Sequence, residues 1–363
     1  MASISSMPEQ SDNDAPRPQL VISGDNDDEI NTVAYLPDGR LVTGSGSGTV
    51  SVYLQNGEQG TSMEHVNGIT SLVMTQDGAK IVSGDDGGEI NVWDVESHQL
   101  VEAWSHQEGD TPIAISPNDR FIAAGSWTVG IFTMEGEQVN SIEVDHEVWS
   151  LSFSPDGNKL ACGTREDICI YDVEIGTCVL GPLKGHESWI NSVLWSRDGS
   201  RLFSASRDKT IRCWNTGTGE QTGQPWTGHT DCIWSVSLSP DGTLLASASA
   251  DKTVRFWDTI HGRPVRQHLQ HATSVLSVCF SPSGESVASG DEHGDVYLWR
   301  VPQVSSIHHL ITPFMCIFGL IFIISQPISV FHDVRHSRFC SHTPLILCIA
   351  PPRVVSWNRT CNT

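Results

Sequence analysis

A turn of four residues recurs along the chain at intervals of 38 to 43 residues, and this repeat limits the possible folds more than any other feature. Its fullest form is Ser-Pro-Asp-Gly, as in Ser154–Gly157. Pro presets φ, Asp bonds the local backbone, and Gly adopts the positive φ that closes a hairpin turn. The seven copies are Leu36–Gly39, Thr75–Gly78, Ser116–Asp119, Ser154–Gly157, Ser196–Gly199, Ser239–Gly242 and Ser281–Gly284. They predict seven structural repeats of about 40 residues each.

Short segments of alternating apolar residues surround each turn. Around the sixth copy, Ile233–Leu238 precedes the turn, and Leu244–Ser249 and Val254–Trp257 follow it. Such alternation is typical of β-strands, so these segments predict three strands of a four-stranded unit. An aromatic residue stands near the end of each repeat, at Tyr53, Trp93, Phe132, Tyr171, Trp214, Trp257 and Trp299. The chain is therefore expected to be all-β.

Two dipeptides relate these repeats to a known family. Gly185-His186 and Gly228-His229 stand near the start of the fifth and sixth repeats, and Trp257-Asp258 ends the sixth. Over about residues 19–302 the chain resembles the WD-repeat β-propeller family, in the form found in long fungal WD-repeat arrays. The first three repeats match less well, and the third is about two residues short near Trp127. The resemblance implies a seven-bladed β-propeller.

Closure of the ring can be predicted from the two ends of the repeat region. The seventh repeat has no fourth strand after Trp299, and one apolar segment, Gln19–Ser23, precedes the first repeat. In the family such a segment lies outside the last blade. We therefore expect Gln19–Ser23 to pair with Asp295–Arg300, because a ring closed by strands from both ends leaves no blade incomplete.

Three regions follow from this pattern. Residues 1–18 are expected to be a disordered N-terminus, residues 19–304 the propeller, and residues 305–363 an irregular, non-propeller C-terminal tail. The tail begins with the apolar segment Leu310–Phe331 and continues without any period. Three interpretations remain open: a translated intron or mis-assigned gene end, a membrane anchor, and a loosely packed extension. The unbroken apolar stretch Phe314–Ile324 is short against the ~20 residues that a spanning helix needs.

The resemblance assigns a structural role to the most conspicuous polar residues. It implies a buried hydrogen-bonded tetrad in the fifth blade and another in the sixth, although Ser, His and Asp together also suggest a hydrolase. The implied tetrads are His186, Ser206, Asp208 and Trp214, and His229, Ser249, Asp251 and Trp257. The Asp position is Ser47 in the first blade, Gly87 in the second and His293 in the seventh, so those blades should be looser.

No motif in the chain predicts catalysis, a cofactor or a metal. A phosphate-binding Gly-Lys-Ser/Thr loop is absent, and His332 and His336 lack the Glu of a zinc protease. The acidic segment Asp25–Glu29 has Ile30 where a calcium-binding EF-hand loop needs Gly. We therefore expect the protein not to be an enzyme.

Charge and cysteine content indicate the kind of partner and compartment. A formal net charge of −22 repels phosphate backbones and anionic lipids, so we expect no direct binding of nucleic acid and, unless the tail is an anchor, none of membranes. The ten Cys include no C-x-x-C pair, and residues 1–20 do not resemble a secretory signal. A reducing compartment, the cytoplasm or the nucleus, is the expected location.

The resemblance also indicates where a partner would bind. In WD-repeat propellers the narrower face is lined by the start of each inner strand and by the residue before the tetrad Asp. The corresponding positions are Glu29, Asn31, Thr70, Asp86, Thr111, Trp127, Glu147, Trp149, Arg165, Trp189, Asn191, Arg207, Cys232, Trp234, Ser274, Leu276 and Glu292. Four are tryptophans in adjacent blades, Trp127, Trp149, Trp189 and Trp234, a composition typical of interface hot spots. We expect them to form an exposed patch with Arg165 and Arg207 at its edge.

These features predict a scaffold or adaptor that binds a peptide or loop of another protein on this narrow face. The expected ligand has an aromatic or aliphatic anchor next to one acidic residue. Two alternatives have different sequence requirements. An orphaned WD-repeat sensor array, related to arrays attached to NTPases, would have lost its phosphate-binding loop. A propeller enzyme would need acids or metal ligands around the central channel.

Overall fold

The computed structural model describes residues 4–6, 16–24, 28–106, 109, 111–265 and 267–302. These residues form 29 strands and no helix, so the described part contains no helix that could cross a membrane. The strands make seven antiparallel sheets in chain order, which are the blades of a β-propeller. The predicted all-β, seven-bladed fold is confirmed. The three interpretations of the tail, and the positions of His332 and His336, lie outside the described residues.

Each blade has the same meander of strands. Blade 1 contains Ile30–Tyr35, Leu41–Ser45, Thr49–Tyr53 and Gln59–Glu64; blade 2 contains Ile69–Met74, Lys80–Asp85, Glu89–Asp94 and Leu100–Ser105. Blade 3 contains Ile113–Ile115, Ile122–Ala124, Thr128–Phe132 and Gln138–Glu143; blade 4 contains Ser150–Phe153, Lys159–Gly163, Asp167–Asp172 and Cys178–Lys184. Blade 5 contains Ile190–Trp195, Arg201–Ser206 and Ile211–Asn215; blade 6 contains Ile233–Leu238, Leu244–Ser249, Thr253–Asp258, Arg263–Pro264 and Leu269–Gln270. Blade 7 contains Val275–Phe280, Ser286–Asp291, Asp295–Arg300, Leu20–Ser23 and Ile4–Ser6.

The recurring tetrapeptide forms the turn between the first two strands of each blade. In blade 5, Ser196 Oγ donates to Asp198 Oδ1 at 2.6 Å, and the backbone N–H of Ser200 donates to the same oxygen at 3.1 Å. Gly199 has a φ of +70°, which a side chain rarely allows. The turn then continues into the second strand, because Arg201 N–H donates to Ser196 Oγ at 2.9 Å. This local chemistry sets the register of the two strands that the turn joins.

The hydrophobic core lies between neighbouring blades. Phe203 and Trp226 of blade 5 pack in one cluster with Ile233 and Trp257 of blade 6, and all four side chains are buried. The cluster at the junction of blades 7 and 1 has the same form and includes Ile22, which is 2% exposed. Every blade is therefore stabilised mainly by the faces of its two neighbours.

Closure of the ring follows the predicted pairing. Leu20–Ser23 is antiparallel to Asp295–Arg300, with Leu20 opposite Leu298 and Ser23 opposite Asp295. The backbone N–H of Gln19 adds a bond to Leu298 O at 2.7 Å. Ile4–Ser6 then pairs with the outer side of Leu20–Ser23. The expectation of a disordered segment over residues 1–18 did not include this outermost strand.

The outer strands of blades 5 and 6 are irregular. Blade 5 has only two isolated bridges in this place, Ile211 with Trp226 and Trp214 with Gln221, and in blade 6 the outer strand is split into two parts. Prolines stand in the outer segments of blades 4, 5 and 6, at Pro182, Pro225 and Pro264. Since proline cannot donate to a further strand, these edges are protected against pairing with other chains.

Candidate functional site

Two buried hydrogen-bonded clusters occupy corresponding places in blades 5 and 6. In blade 5, His186 Nδ1 lies 2.7 Å from Asp208 Oδ2, and His186 Nε2 lies 2.7 Å from Ser204 Oγ. The indole N–H of Trp214 donates to the same Ser204 Oγ at 2.8 Å. The same contacts recur in blade 6 among His229, Asp251, Ser247 and Trp257. Each cluster joins the second and third strands of its blade to the loop that precedes the first.

The serine in each cluster is not the one that the sequence predicted. Ser206 and Ser249 instead accept the backbone N–H of the following Asp and donate to a loop carbonyl. Ser204 and Ser206 are two residues apart and so lie on the same face of one strand, which makes them equivalent in a pattern of alternation. Ser204 is identified as the serine of the cluster only by the structure, in which the Trp214 indole N–H donates to it.

The clusters have the composition of a hydrolase site but not its accessibility. Ser204 and Ser247 are completely buried, and the side chains of His186 and His229 are fully covered. Burial by itself raises the pKa of Asp208, but hydrogen bonds from His186, Thr210 and the backbone of Glu187 outweigh it and hold the pKa well below its usual range. A substrate cannot reach these hydroxyls, so the clusters satisfy buried polar groups and stabilise their blades.

Blades 2 and 7 use an Asp that the sequence analysis overlooked. The predicted absence of an Asp at Gly87 and His293 is correct for those positions, but Asp85 and Asp291 stand two residues earlier. Each accepts hydrogen bonds from the backbone N–H groups two and four residues later, at 2.7 to 3.1 Å. The shared pattern Ser-Gly-Asp, followed four residues after the Asp by Glu or Asp, marked both sites in the sequence. The inference from Gly87 and His293 that these blades have an incomplete polar set therefore missed a buried carboxylate in each of them.

The histidine of blade 7 is incompletely bonded. His271 Nε2 lies 3.2 Å from Ser289 Oγ, whereas its buried Nδ1 has no hydrogen-bond partner. The rings of Tyr297 and Trp299 flank the imidazole at 4.6 and 5.1 Å between centroids. Burial lowers the pKa of His271 to about 3, so the ring is neutral at physiological pH.

One group of potential metal ligands occurs among the described residues. Atoms of His65, Asp85 and Glu89 in blade 2 lie within 4.8 Å of one another. These residues are already engaged, because His65 Nε2 lies 2.6 Å from Ser83 Oγ and Asp85 accepts two backbone N–H groups. The arrangement is the blade 2 version of the buried polar cluster.

A different kind of cluster lies where blades 4, 5 and 6 meet the central channel. The guanidinium carbon of Arg207 is 5.2 Å from the ring centroid of Trp149, 4.8 Å from that of Trp189 and 4.9 Å from that of Trp234. Trp149 and Trp189 also meet edge to face, with centroids 6.4 Å apart. We call these four residues the tryptophan–arginine cluster. Each contact is in the range of a cation–π interaction.

Asn191 positions this cluster through two hydrogen bonds. Its side-chain oxygen accepts from Arg207 Nε at 3.2 Å, and its side-chain N–H donates to Ile233 O, next to Trp234, at 2.8 Å. The backbone N–H of Arg207 donates to Trp189 O at 2.9 Å. The turn that carries Arg207 is thus held to the loop that carries Trp189 and to the strand that carries Trp234.

The structure corrects the predicted form of the tryptophan patch. Trp149, Trp189 and Trp234 do come together, but they are half-buried and surround Arg207, which was expected at the edge. A guanidinium stacks favourably on indole faces, and this attraction draws Arg207 into the middle. Arg165 lies against the outer side of Trp189 at 5.1 Å, with its side chain 66% exposed. Trp127 is 58% exposed in blade 3 and does not line the central cavity.

The cluster forms one wall of a cavity of about 720 Å³ in the centre of the ring, to which all seven blades contribute. Of the positions predicted for the narrow face, eleven line it: Glu29, Asn31, Thr70, Asp86, Trp149, Asn191, Arg207, Trp234, Ser274, Leu276 and Glu292. The other six do not: Thr111, Trp127, Glu147, Arg165, Trp189 and Cys232. Most of the predicted positions, but not all, therefore lie around one concave site.

The wall formed by blades 7, 1 and 2 is acidic. Glu292, Glu29 and Asp86 are exposed, one in each of these blades. The blades as a whole differ in charge in the same way. Residues 150–270, which form blades 4 to 6, contain 13 Asp and Glu and 12 Lys and Arg, whereas residues 16–149 and 271–302 contain 26 acidic and only five basic residues. The cavity therefore lies at the boundary between a nearly neutral sector and a strongly negative one.

Several proteins with similar sequences are named as WD repeat-containing proteins, and another is named as a subunit of a complex. The WD repeat-containing protein SL1-17 of Schistosoma mansoni is 34% identical over 161 residues, which cover 43% of this chain and 53% of that protein. The WD repeat-containing protein 1 of Gallus gallus is 26% identical over 42% of this chain and 34% of its own length. The target of rapamycin complex subunit wat1 of Schizosaccharomyces pombe is 23% identical over 52% of this chain and 65% of its own length. The match thus spans between about a third and two thirds of the length of each of these relatives.

The model of the WD domain, G-beta repeat, matches six segments: residues 16–53, 57–94, 136–172, 176–215, 220–258 and 262–300. These segments correspond to blades 1, 2, 4, 5, 6 and 7. No match covers most of blade 3, the repeat in which the sequence is short near Trp127 and whose first two strands have only three residues each. Because the matches extend over more than half of the chain and the fold is a seven-bladed propeller, this protein belongs to the WD-repeat family.

Proposed function

We propose that this protein is a non-enzymatic scaffold that binds a peptide or loop of another protein over the central cavity, with the tryptophan–arginine cluster as its main contact. The observation that carries this proposal is the state of Arg207. Its guanidinium is held between three indoles, and no carboxylate among the described residues lies within ion-pairing distance of it. A pre-positioned cation without a counter-charge is suited to a ligand from outside.

The composition and shape of the site support a protein ligand. Trp and Arg are the residues most enriched in interface hot spots, because they combine a large apolar surface with hydrogen-bonding groups. A concave site of several hundred cubic ångströms, with two tryptophans on one side and mostly polar residues elsewhere, can enclose two or three side chains of a partner. The relative wat1, a subunit of a complex by its name, is an example of a similar chain in an assembly.

The chemistry of the described residues favours binding over catalysis. The Ser–His–Asp clusters are buried away from the cavity, and the six cysteines in the described residues are free thiols. Burial raises the pKa of Cys162, Cys213 and Cys279, which makes these thiols poor nucleophiles. Free thiols also suit the reducing cytoplasm or nucleus, which we propose as the location.

The proposal can be tested by comparing interaction partners of matched variants. The full chain, a Trp149→Ala/Trp189→Ala/Trp234→Ala variant and a Trp127→Ala variant would be used as baits in quantitative pull-downs from the native organism. We expect proteins recovered by the wild type to be depleted at least tenfold with the triple variant. They should be retained with Trp127→Ala, because Trp127 lies outside the cavity.

Melting curves and circular dichroism of each variant provide the necessary control. If the triple variant is folded and still recovers the same proteins, the cluster is not the binding site. If the triple variant is unfolded, the single substitution Trp234→Ala replaces it. That change should weaken binding by about 2 kcal/mol or more, as for other interface tryptophans.

A further inference from the structure

The tryptophan–arginine cluster contains more hydrogen-bond donors than acceptors. The indole N–H groups of Trp149 and Trp234 are buried and have no hydrogen-bond partner. Arg207 uses only its Nε–H in a side-chain hydrogen bond, to Asn191, which leaves the terminal N–H groups of the guanidinium without an acceptor among the described residues. Buried donors without partners are rare in folded proteins, since each one loses its bonds to water and gains nothing in return.

A ligand that enters the cavity can supply acceptors, first of all to the terminal N–H groups of Arg207, which lines it. Trp149, Arg207 and Trp234 all line it, and both indole rings lie within 5.2 Å of the guanidinium carbon. A carboxylate has two oxygens with about four acceptor positions, and a guanidinium can bind it with two parallel N–H groups. Resting on the function proposed above, we infer that the cluster is a carboxylate site and that the ligand segment also bears a cationic side chain beside its carboxylate.

The charges around the cavity explain why the ligand needs both groups. Across the cavity from the cluster, Glu29, Asp86 and Glu292 are exposed and form no ion pair among the described residues. A ligand with several negative charges would be repelled by this wall and by the sector that carries 26 acidic residues against five basic ones. A lysine or arginine next to the carboxylate would face the acidic wall and remove that repulsion. The opposite walls therefore also set the direction in which the segment lies across the ring.

Selection from a random library tests this inference without a known partner. Nine-residue peptides displayed on phage would be selected on the full chain, on Arg207→Gln, on Glu29→Gln/Asp86→Asn/Glu292→Gln and on Trp127→Ala. We expect peptides from the wild type to be enriched at least fivefold in sequences with one acidic and one basic residue. Arg207→Gln should lose the acidic preference, the triple neutral variant should lose the basic preference, and Trp127→Ala should keep both.

The outcomes separate this inference from the proposed function. Peptides that depend on the tryptophans but show no acidic preference would overturn the carboxylate site and leave the scaffold function standing. If no selected peptide requires the tryptophan–arginine cluster for binding, the scaffold function itself is contradicted. An acidic preference that survives in a folded Arg207→Gln variant would also overturn the inference.

The nature of the anion is tested with one selected peptide by titration calorimetry. Replacing the acidic residue of this peptide by the corresponding amide should weaken binding at least tenfold. Comparing the peptide with one that carries its only carboxylate at a free C-terminus shows whether the site binds a side-chain or a C-terminal carboxylate more tightly. A phosphoserine in the same place should bind more weakly than the acidic residue, because its second charge faces the acidic wall. Tighter binding of the phosphopeptide would overturn the assignment to a single carboxylate.

Discussion

The backbone N–H of Val33 donates a hydrogen bond to Ser277 Oγ at 3.0 Å, although 244 residues separate them in the chain. Equivalent bonds join the inner strands of other neighbouring blades, where a serine of one blade accepts a backbone N–H of the next. The pairs are Ser71 with Ile113, Ser150 with Val193, Ser192 with Val236, and Ser235 with Val278. The junction of blades 7 and 1 is thus built like the junctions between blades that are continuous in the chain.

Deletion of residues 1–24 should destabilise the protein strongly. It removes Leu20–Ser23 and the buried Ile22 side chain, and it exposes the outer edge of Asp295–Arg300. Loss of one buried isoleucine alone costs about 2–3 kcal/mol. Thermal melting should show a clear fall in midpoint, whereas deletion of residues 1–15, which keeps this strand, should have a much smaller effect. Equal melting of the wild type and the longer deletion would contradict the closure described above.

Ser204→Ala should be more damaging than Ser206→Ala. The first change removes the shared partner of His186 Nε2 and of the Trp214 indole, and each unsatisfied buried group costs about 1–3 kcal/mol. Ser206 bonds only to backbone groups of a turn that has other hydrogen bonds. Urea unfolding followed by tryptophan fluorescence measures the difference. A larger loss for Ser206→Ala would restore the serine assignment that the sequence suggested.

Stability should fall as the pH decreases from 7 to 5, in part because of His271. Its folded-state pKa of about 3 is below the unfolded value of about 6.5, so the unfolded chain binds the proton first. Unfolding therefore becomes easier below pH 6.5, and at pH 5 this group alone accounts for about 2 kcal/mol. Burial also lowers the pKa values of His65 and His229, which act in the same direction.

Replacement of His271 by Gln checks this assignment. The variant should show a flatter dependence of unfolding free energy on pH between 7 and 5 than the wild type. His293→Ala in the same blade is the control, because it removes a histidine whose side chain is exposed. If both variants keep the wild-type slope, His271 does not contribute as described.

A chain that ends at Pro302 should fold at least as well as the full chain. All pairings that close the ring involve residues before this point, and Val301 N–H already bonds to Glu285 O at 2.9 Å. Soluble expression and melting temperature of the shortened chain measure this directly. Loss of soluble protein on truncation would show that residues 303–363 are needed for folding.

The sequence predicted the architecture well because turns and strands leave local signals. Each turn contains at least two of Pro, Asp and Gly, and alternation like that of Ile233–Leu238 marks the strands, so the number of repeats could be inferred. The closing strand was inferred from the family resemblance. Local signals do not distinguish Ser204 from Ser206, which share one strand face. Asp85 and Asp291 did share a local Ser-Gly-Asp pattern, but they stand two residues before the usual Asp position and were therefore overlooked.

The sequence predicted which residues contribute to the candidate site, but not how they are arranged. The positions of Trp149, Trp189 and Trp234 followed from the family resemblance, which places residues near the start of each inner strand on the narrow face. Their inward orientation around Arg207 depends on packing between three blades, which no single repeat encodes. The unsatisfied indole N–H groups depend on the same packing and could be recognised only in three dimensions.

The pairing of Leu20–Ser23 with Asp295–Arg300 has a mechanical consequence. The chain enters this pair at Leu20 and leaves it near Leu298, and these two residues stand opposite each other. A force that pulls the two ends of the propeller apart therefore acts on one hydrogen-bonded pair at a time, from Leu20 toward Ser23, and peels the strand away. Strands that are pulled in shear distribute the force over all their hydrogen bonds. In this pair the force acts on the hydrogen bonds one after another. The ring should consequently open at blade 7 under modest tension, although in solution the same strand holds it closed.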